Sequence, residues 1–217
     1  FVILPENIIS QQLIEKCGAD KIIISPPRFI SDEKKTIKRL SELKELGISR
    51  LFCHTPDCIA IGRKLGFRLH GSFTLNIYNS YSASYMKQLG LEDFTVSFEA
   101  KLTQIAKMRR EIPLGAVTYG RLPLMLTRNC PIKNEVGCAR CSGSITDRTG
   151  RKFPIVCAKE YVEILNPNTL LITDKEMCGA DFSLIMLNKE TPQQVRDALS
   201  GKRPDGDVTH GLYYRGI

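Results

Sequence analysis

Between Asp20 and Tyr119 the chain repeats one pattern: a short apolar run, then about ten residues of helical periodicity closed by glycine. Asp20 to Ser25 (DKIIIS) has the β-branched character of a buried strand, and two prolines end its pairing. Ser31 is the expected N-cap of the next helix, in which Ile37, Leu40, Leu43 and Leu46 recur at helical spacing until Gly47. Strands are then expected at Ile48 to His54, Phe67 to Leu75, Phe94 to Phe98 and Gly115 to Tyr119. Helices are expected at Pro56 to Leu65, Ser80 to Leu89 and Leu102 to Arg110, the last with Ile105 and Met108 inward. Strands separated in this way require crossovers, which predicts a parallel sheet and an α/β fold. Neither G-x-G-x-x-G nor G-x-x-x-x-G-K-[ST] follows any strand, so dinucleotide and P-loop readings lose their support. The expectation is a partial or divergent TIM-barrel-like array of β/α repeats. Ligands collect at the C-terminal strand ends of such folds, which nominates His54, His70, Asn76, Glu99 and Arg121 as one rim.

The pattern changes after Gly120. Arg121 to Cys157 holds four of the eight cysteines, with Cys138 and Cys141 in a C-x2-C knuckle and Cys130 and Cys157 on either side. Such a spacing lets thiolates face one ion, either zinc or an iron–sulfur cluster. The alternative is that these are small buried side chains sharing a segment by chance. The segment reads as a Cys-rich loop. Beyond it, short apolar runs at Tyr161 to Leu165, Leu170 to Thr173 and Ser183 to Leu187 predict strands. Thr191 opens a helix with Pro192 first and Val195, Ala198 and Leu199 as its apolar stripe, and 201–210 is a polar loop leading to Tyr213 and Tyr214. Three regions result: a β/α-repeat part (1–120), a Cys-rich metal-binding segment (121–160), and a C-terminal strand and helix extension (161–217), packed on the same domain.

With 217 residues the chain can build a core without a staple, so metal is optional for folding. No stretch approaches the roughly twenty apolar residues of a membrane span, and the first twelve residues lack a signal-peptide layout. A cytoplasmic setting follows, in which thiols stay reduced and cysteines bind metal or lie buried. Cys17, Cys53, Cys58 and Cys178 read as buried thiols. The net charge of +8 comes from 31 basic and 23 acidic residues spread along the chain. That balance favours a phosphate-bearing partner if the clusters share a face; a solvated basic surface is the plainer reading. The chain opens on Phe1 without a methionine, which reads as part of a larger polypeptide.

Several stretches together resemble one family. They are LHGSFTLNIYNSYSASYMKQLGLEDFTVSFE, YGRLPLMLTRNCP, the C-x2-C knuckle, TDRTGRKFPIVC with its Asp147-Arg148 pair, and THGLYYRGI. In order, they are similar to peptidase family U32, the collagenase-like proteases, over roughly residues 48–217. The resemblance implies the second half of a TIM-barrel-like domain plus a C-terminal extension, with the first barrel strands on the rest of a larger polypeptide. Aligned on Gly120, the family signature agrees at Leu122, Cys130 and Ile132, while Gly115 and Pro123 stand where the signature has its glutamate and first cysteine. Some relatives resemble oxygen-independent hydroxylases of RNA that hold an iron–sulfur cluster on four cysteines. On that resemblance, Cys138, Cys141 and Cys157 are expected to supply the ligands that Pro123 cannot.

Rim and resemblance together nominate Glu99, Arg121 and His210 as catalytic groups, and His70, Asn76, Asn79 and Arg121 as substrate-binding ones. Arg121 offers a planar, always charged fork to a carboxylate or phosphate, or pairs with Glu99, which otherwise serves as general base. His54 reads as a loop hydrogen-bonding group, His70 as a satisfied, partly buried ring, and His210 as a residue of the matched tail. Three functions are open: a peptidase, an iron–sulfur hydroxylase acting on RNA, and a non-catalytic zinc-stabilised domain. The substrate is accordingly a peptide or RNA. The metal is expected to border the rim of Arg121 and Glu99.

Overall fold

In a computed structural model that describes residues 1–158, 160–172 and 179–215, the chain forms two compact units. The first comprises Phe1–Ala116, Cys178–Ser183 and Leu212–Ile217, the second Val117–Met177 and Leu184–Gly211.

The first unit alternates strands and helices as the periodicity predicts. In order come β1 (Val2–Pro5), α1 (Gln11–Cys17), β2 (Ile22–Ser25), α2 (Glu33–Glu45), β3 (Arg50–Cys53), α3 (Pro56–Lys64), β4 (Arg68–Gly71), α4 (Ser80–Gln88), β5 (Leu91–Thr95) and α5 (Leu102–Lys107). The start of β6 (Leu114–Gly120) completes its sheet. Every pairing from β1 to β6 is parallel and joins strands consecutive in the chain. That singly wound order is the one from which barrels are built; a doubly wound sheet reverses at a switch point. The fold is α/β, of the partial-barrel kind.

Local chemistry accounts for the boundaries. Ile22, Ile23 and Ile24 are almost wholly buried, as a parallel strand covered on both faces requires. Asp32, not Ser31, caps α2: its carboxylate accepts the Lys35 N–H at 3.0 Å, the better acceptor standing one residue nearer the helix. Leu40 and Leu43 are buried as expected, while Leu46, after the last helical turn, is 44% exposed. Arg39 reaches back from α2 to the carbonyls of Glu6 and Ile9 and ties down the loop after β1. The expected strand at Phe67–Leu75 is shorter, because Phe73–Leu75 turns into a 3-10 helix once the Ser72 hydroxyl accepts the Thr74 N–H. The strand expected at Phe94–Phe98 lies three residues earlier, with Leu91 as the buried first residue of β5.

The second unit contains the remaining elements. β7 (Pro123–Thr127), α6 (Pro131–Val136), β8 (Ser144–Thr146) and β9 (Lys152–Cys157) occupy the segment expected to be loop, and β10 (Val162–Leu165) lies where the run Tyr161 to Leu165 predicts a strand. The strands form an antiparallel sheet in the order β7-β10-β9-β8. Short length and mixed polarity hid β7, β8 and β9, since only one face is covered. Its core is small: Ile132, Ile155, Val162 and Ile164, with Cys130, Val136, Ile145 and Phe153 packed around them.

The chain then runs through β11 (Thr169–Leu171), β12 (Phe182–Ile185), α7 (Pro192–Leu199) and β13 (Val208–Thr209). β11 pairs with the end of β6 on one side and with β13 on the other. The chain passes between the units within β6 and within β12. Thr191 caps α7 as expected, but Leu199 is 66% exposed and Ala198 carries the buried contact. The stretch read as a polar loop contains β13, and Tyr213 is buried while Tyr214 is 54% exposed. Among the described residues no helix is long and apolar enough to cross a membrane. Cys178, expected as a buried thiol, lies outside the described residues.

In the first unit β6 meets Phe182 so closely at Gly115 that a Cβ there would stand 2.1 Å from the ring. Gly115→Ala should therefore lower the urea unfolding free energy by about 1–3 kcal/mol, the usual cost of overpacking. Adding Phe182→Leu should recover part of the loss, which a double-mutant comparison measures.

Candidate functional site

Side chains alternate across a strand, so one contact fixes the faces of the first sheet. At Gly62, α3 approaches so closely that a Cβ would lie 2.7 Å from Leu51 Cδ2 and 2.6 Å from Leu69 Cδ2. Leu51 and Leu69 therefore face the helix, and Arg50 and Phe52 of β3 with Arg68 and His70 of β4 take the opposite face, which His54 and Ser72 continue just beyond the strand ends. That face is polar at both ends.

At the C-terminal ends of β2, β3 and β4 a buried hydrogen-bond relay joins Ser25, His54, Ser72 and Thr74. His54 Nε2 lies 2.8 Å from Ser25 Oγ and Nδ1 lies 3.0 Å from Ser72 Oγ. The Thr74 hydroxyl donates to the His54 carbonyl at 2.7 Å, and its N–H donates to Ser72 Oγ. Phe52 meets the His54 ring edge-on at 5.1 Å. Burial, aided by the positive charge of Arg28, lowers the His54 pKa to about 3. Among the described residues no carboxylate hydrogen-bonds its ring, so at neutral pH His54 is an uncharged group that orients hydroxyls.

His70 stands one strand layer lower. Its Nδ1 is 2.8 Å from Asp93 Oδ2 and its Nε2 is 3.2 Å from Arg50 Nη1. A guanidinium can only donate, so Nε2 accepts and the proton sits on Nδ1, facing Asp93. Arg50 also stands 3.9 Å from Glu92 and under the Phe1 ring, and Arg68 binds Glu92 through both carboxylate oxygens. His70 is thus a ring held inside a charged network.

The other residues nominated in this unit serve the backbone as well. Asn79 caps α4, its Oδ1 accepting the Ser82 N–H at 2.9 Å while the Ser82 hydroxyl accepts the Asn79 N–H. Asn76 is exposed and is the non-glycine residue with positive φ (54°) among those described. It ends the 3-10 turn after Ser72, a position asparagine tolerates better than most residues. Glu99 is half-buried, and its N–H donates to Ser97 Oγ at 3.4 Å.

In the second unit the Arg121 guanidinium donates to the carbonyls of Asn166 and Pro167, and Asn188 donates to the Arg121 carbonyl. His210 is exposed, within a turn in which Thr209 Oγ1 accepts the Gly211 N–H.

The four cysteines occupy the small antiparallel module. Cys130 caps α6, with the Lys133 N–H directed at its sulfur at 3.5 Å. Cys138 opens a 3-10 turn that Cys141 closes, and the Gly143 N–H points at Cys141 Sγ at 3.4 Å. Gly137 and Gly143 flank the knuckle at φ of 78° and 71°, a turn that side-chain-bearing residues resist. Cys157 ends β9, and its thiol pKa is raised by partial burial and then by Cys130 and Cys141, while Lys189 opposes the shift. The four sulfurs therefore share a neighbourhood. They are not drawn into a cage: among the described residues no group of three or more His, Cys, Asp or Glu side chains is assembled to hold a metal ion. The donor chemistry fits a thiophilic metal; the sulfur positions fall short of ligand geometry. The Asp147-Arg148 pair lies in the adjacent β8–β9 turn, where Asp147 Oδ1 accepts the N–H groups of Thr149 and Arg151 and the Thr149 hydroxyl.

Comparison with known proteins places the chain. The profile of peptidase family U32 matches residues 15–179. The chain belongs to peptidase family U32. The match begins upstream of the motifs that first indicated it, in α1, and ends before α7. A solved U32 peptidase, Mk0906, has 12% identity and a TM-score of 0.49 over 88% of this chain and 85% of that one. A search of curated proteins returned no match.

Ser25, Ser72 and Thr74 escaped sequence reasoning, although the signal was present: the apolar runs IIIS, LFCH and LHGS each end on a polar residue. The relay predicts a pH effect. Because the folded pKa of His54 is depressed to about 3 from 6.5, the unfolded chain binds a proton that the folded protein refuses. Stability is full above pH 6.5 and declines as pH falls toward 3. Between pH 6.5 and 5, above the main carboxylate range, the unfolding free energy should drop by about 2 kcal/mol more in the parent than in His54→Asn. Urea titrations at each pH check this.

Proposed function

We propose that this chain is a metal-binding domain of a peptidase U32 protein, in which Cys130, Cys138, Cys141 and Cys157 hold a zinc ion or an iron–sulfur cluster. The observation that carries the reading is the pair of backbone N–H groups aimed at Cys130 Sγ and Cys141 Sγ, since a metal-bound sulfur is held by such outer hydrogen bonds. Cys130 is packed on the module's small core, so it is the pre-set ligand. Cys138 and Cys141 lie on an exposed turn, able to close on an ion that Cys157 meets from the end of β9. Zinc would act there as a closed clasp; an iron–sulfur cluster would supply electrons to a redox reaction.

Hydrolysis of peptides is the activity the family name carries. The strand-end relay supports orientation of a bound group rather than general-base chemistry, because burial makes His54 a weak base and Arg50 occupies Nε2 of His70. The +8 charge favours the second reading, an oxygen-independent hydroxylase whose substrate is RNA, provided the metal is iron.

Elemental analysis of protein purified without oxygen tests the proposal. Cys138→Ser and Cys141→Ser should lose metal and melt at lower temperature than Cys17→Ser. Iron with acid-labile sulfide supports the redox reading, stoichiometric zinc the clasp. Metal content unchanged by either substitution would sink the four-cysteine site.

A further inference from the structure

We infer that the C-terminal ends of β2 and β3 form an oxyanion-binding site, in which the Ser25 hydroxyl and the Arg28 guanidinium take a carboxylate or phosphate group of a small ligand. Ser25 is half-buried at the end of β2, so its hydroxyl is reachable, yet it is not free to rotate. Nε2 of His54 pins it at 2.8 Å, Ser72 pins the far side of the ring, and Ser72 itself is fully buried. A hydroxyl held in this way meets a ligand with its orientation already set, and binding does not have to order it. The tautomer with its proton on Nε2 serves: the ring then donates to Ser25 Oγ and leaves the Ser25 hydroxyl proton for the anion, while Nδ1 accepts from the Ser72 hydroxyl.

The charge comes from the same loop. Pro26 and Pro27 follow Ser25, lock two successive φ angles and carry no N–H, so they set Arg28 at a defined step from Ser25. The Arg28 guanidinium sits 5.8 Å from the centre of the Phe73 ring, next in the chain to Ser72. This places a cation over the ends of β3 and β4, on the side where the relay surfaces. Its electrostatic effect on His54 agrees with that position. Thr55, directly after His54, adds a third feature. It precedes α3 but makes no capping bond with its side chain, and its Oγ1 is buried without a hydrogen-bond partner. A buried hydroxyl left unmatched at the mouth of the same strand, beside a helix N-terminus, suits an anion. A neutral, apolar occupant would leave Thr55 unmatched and would gain nothing from Arg28.

The site is independent of the cysteines, and its test does not involve metal. Inorganic phosphate and acetate are titrated in parallel into the whole chain, with binding followed by backbone amide shifts in two-dimensional NMR. Saturable shifts at Ser25, Arg28 and Thr55 are expected for at least one anion; the stronger one identifies phosphate or carboxylate as the ligand group. Ser25→Ala and Arg28→Gln should each weaken that binding about tenfold. Arg63→Gln, on the outer part of α3, should leave it unchanged, and the amide spectra themselves report whether each variant is folded. Absence of saturable shifts with both anions, or equal affinities in parent, Ser25→Ala and Arg28→Gln, would overturn the inference.

Discussion

The parallel pairing of consecutive strands from β1 to β6 is the constraint on which the first unit depends. Each pairing fixes which residues lie side by side, so that Phe52 stands beside His70 and His70 beside Asp93. Residues one step beyond those pairs, His54 and Ser72, are brought to one level at the strand ends. A slip of one residue in β4 would turn His70 and Ser72 toward α3 and bring Leu69 into the polar face. Gly62 guards against this. It lets α3 rest directly on Leu51 and Leu69, a contact that this register provides.

The polar face is organised so that its charges are mostly compensated. Arg50 is largely buried, with a side chain 14% exposed, and touches Glu92, His70 and the Phe1 ring. Removing a single partner from such a set costs more than the set contributes, because a charge is left buried and unpaired. Arg50 thereby dictates the tautomer of His70, and a base at Nε2 is unavailable while the guanidinium is in place. The relay at the strand ends follows the opposite rule. It contains hydroxyls and one neutral ring, and its nearest charge, Arg28, opposes protonation instead of compensating it. Burial keeps His54 neutral, whereas for His70 a donor-only partner decides which ring nitrogen accepts.

Much of this architecture was legible in the sequence. The β/α alternation was, because a buried parallel strand is a run of apolar residues and an outer helix has a period that survives in eighteen-residue windows. The N-cap of α7 and the inward set of Ile105 and Met108 were readable for the same local reasons. The relay was not, because Ser25 and His54 are 29 residues apart and His54 and Ser72 are 18 apart, and only the register joins them. Asn79 matched a family motif, yet its side chain serves α4 as a cap, a role that the sequence N-S-Y-S also announces. The antiparallel module was hidden by its shortness: β8 has three residues and β9 carries a proline, so neither rises above the loop around it.

The module also bears on whether metal is optional. A chain of this length can bury a core without a staple, and the first unit does so with Ile22, Ile24, Leu51, Leu69 and Phe94 almost wholly covered. The cysteine module does not share that core. Its own consists of four buried aliphatic side chains on two short strands, β9 and β10, and one helix of six residues, Pro131–Val136. A helix of that length has little stability alone, and its cap is a cysteine, a weaker acceptor than serine or aspartate. Local stability within one chain is thus unequal, and an ion tying Cys130 on the helix to Cys157 on β9 would act where the apolar core is thinnest. That is why sulfurs in a shared neighbourhood, with backbone N–H groups already turned toward two of them, carry more weight here than they would on the surface of the first unit.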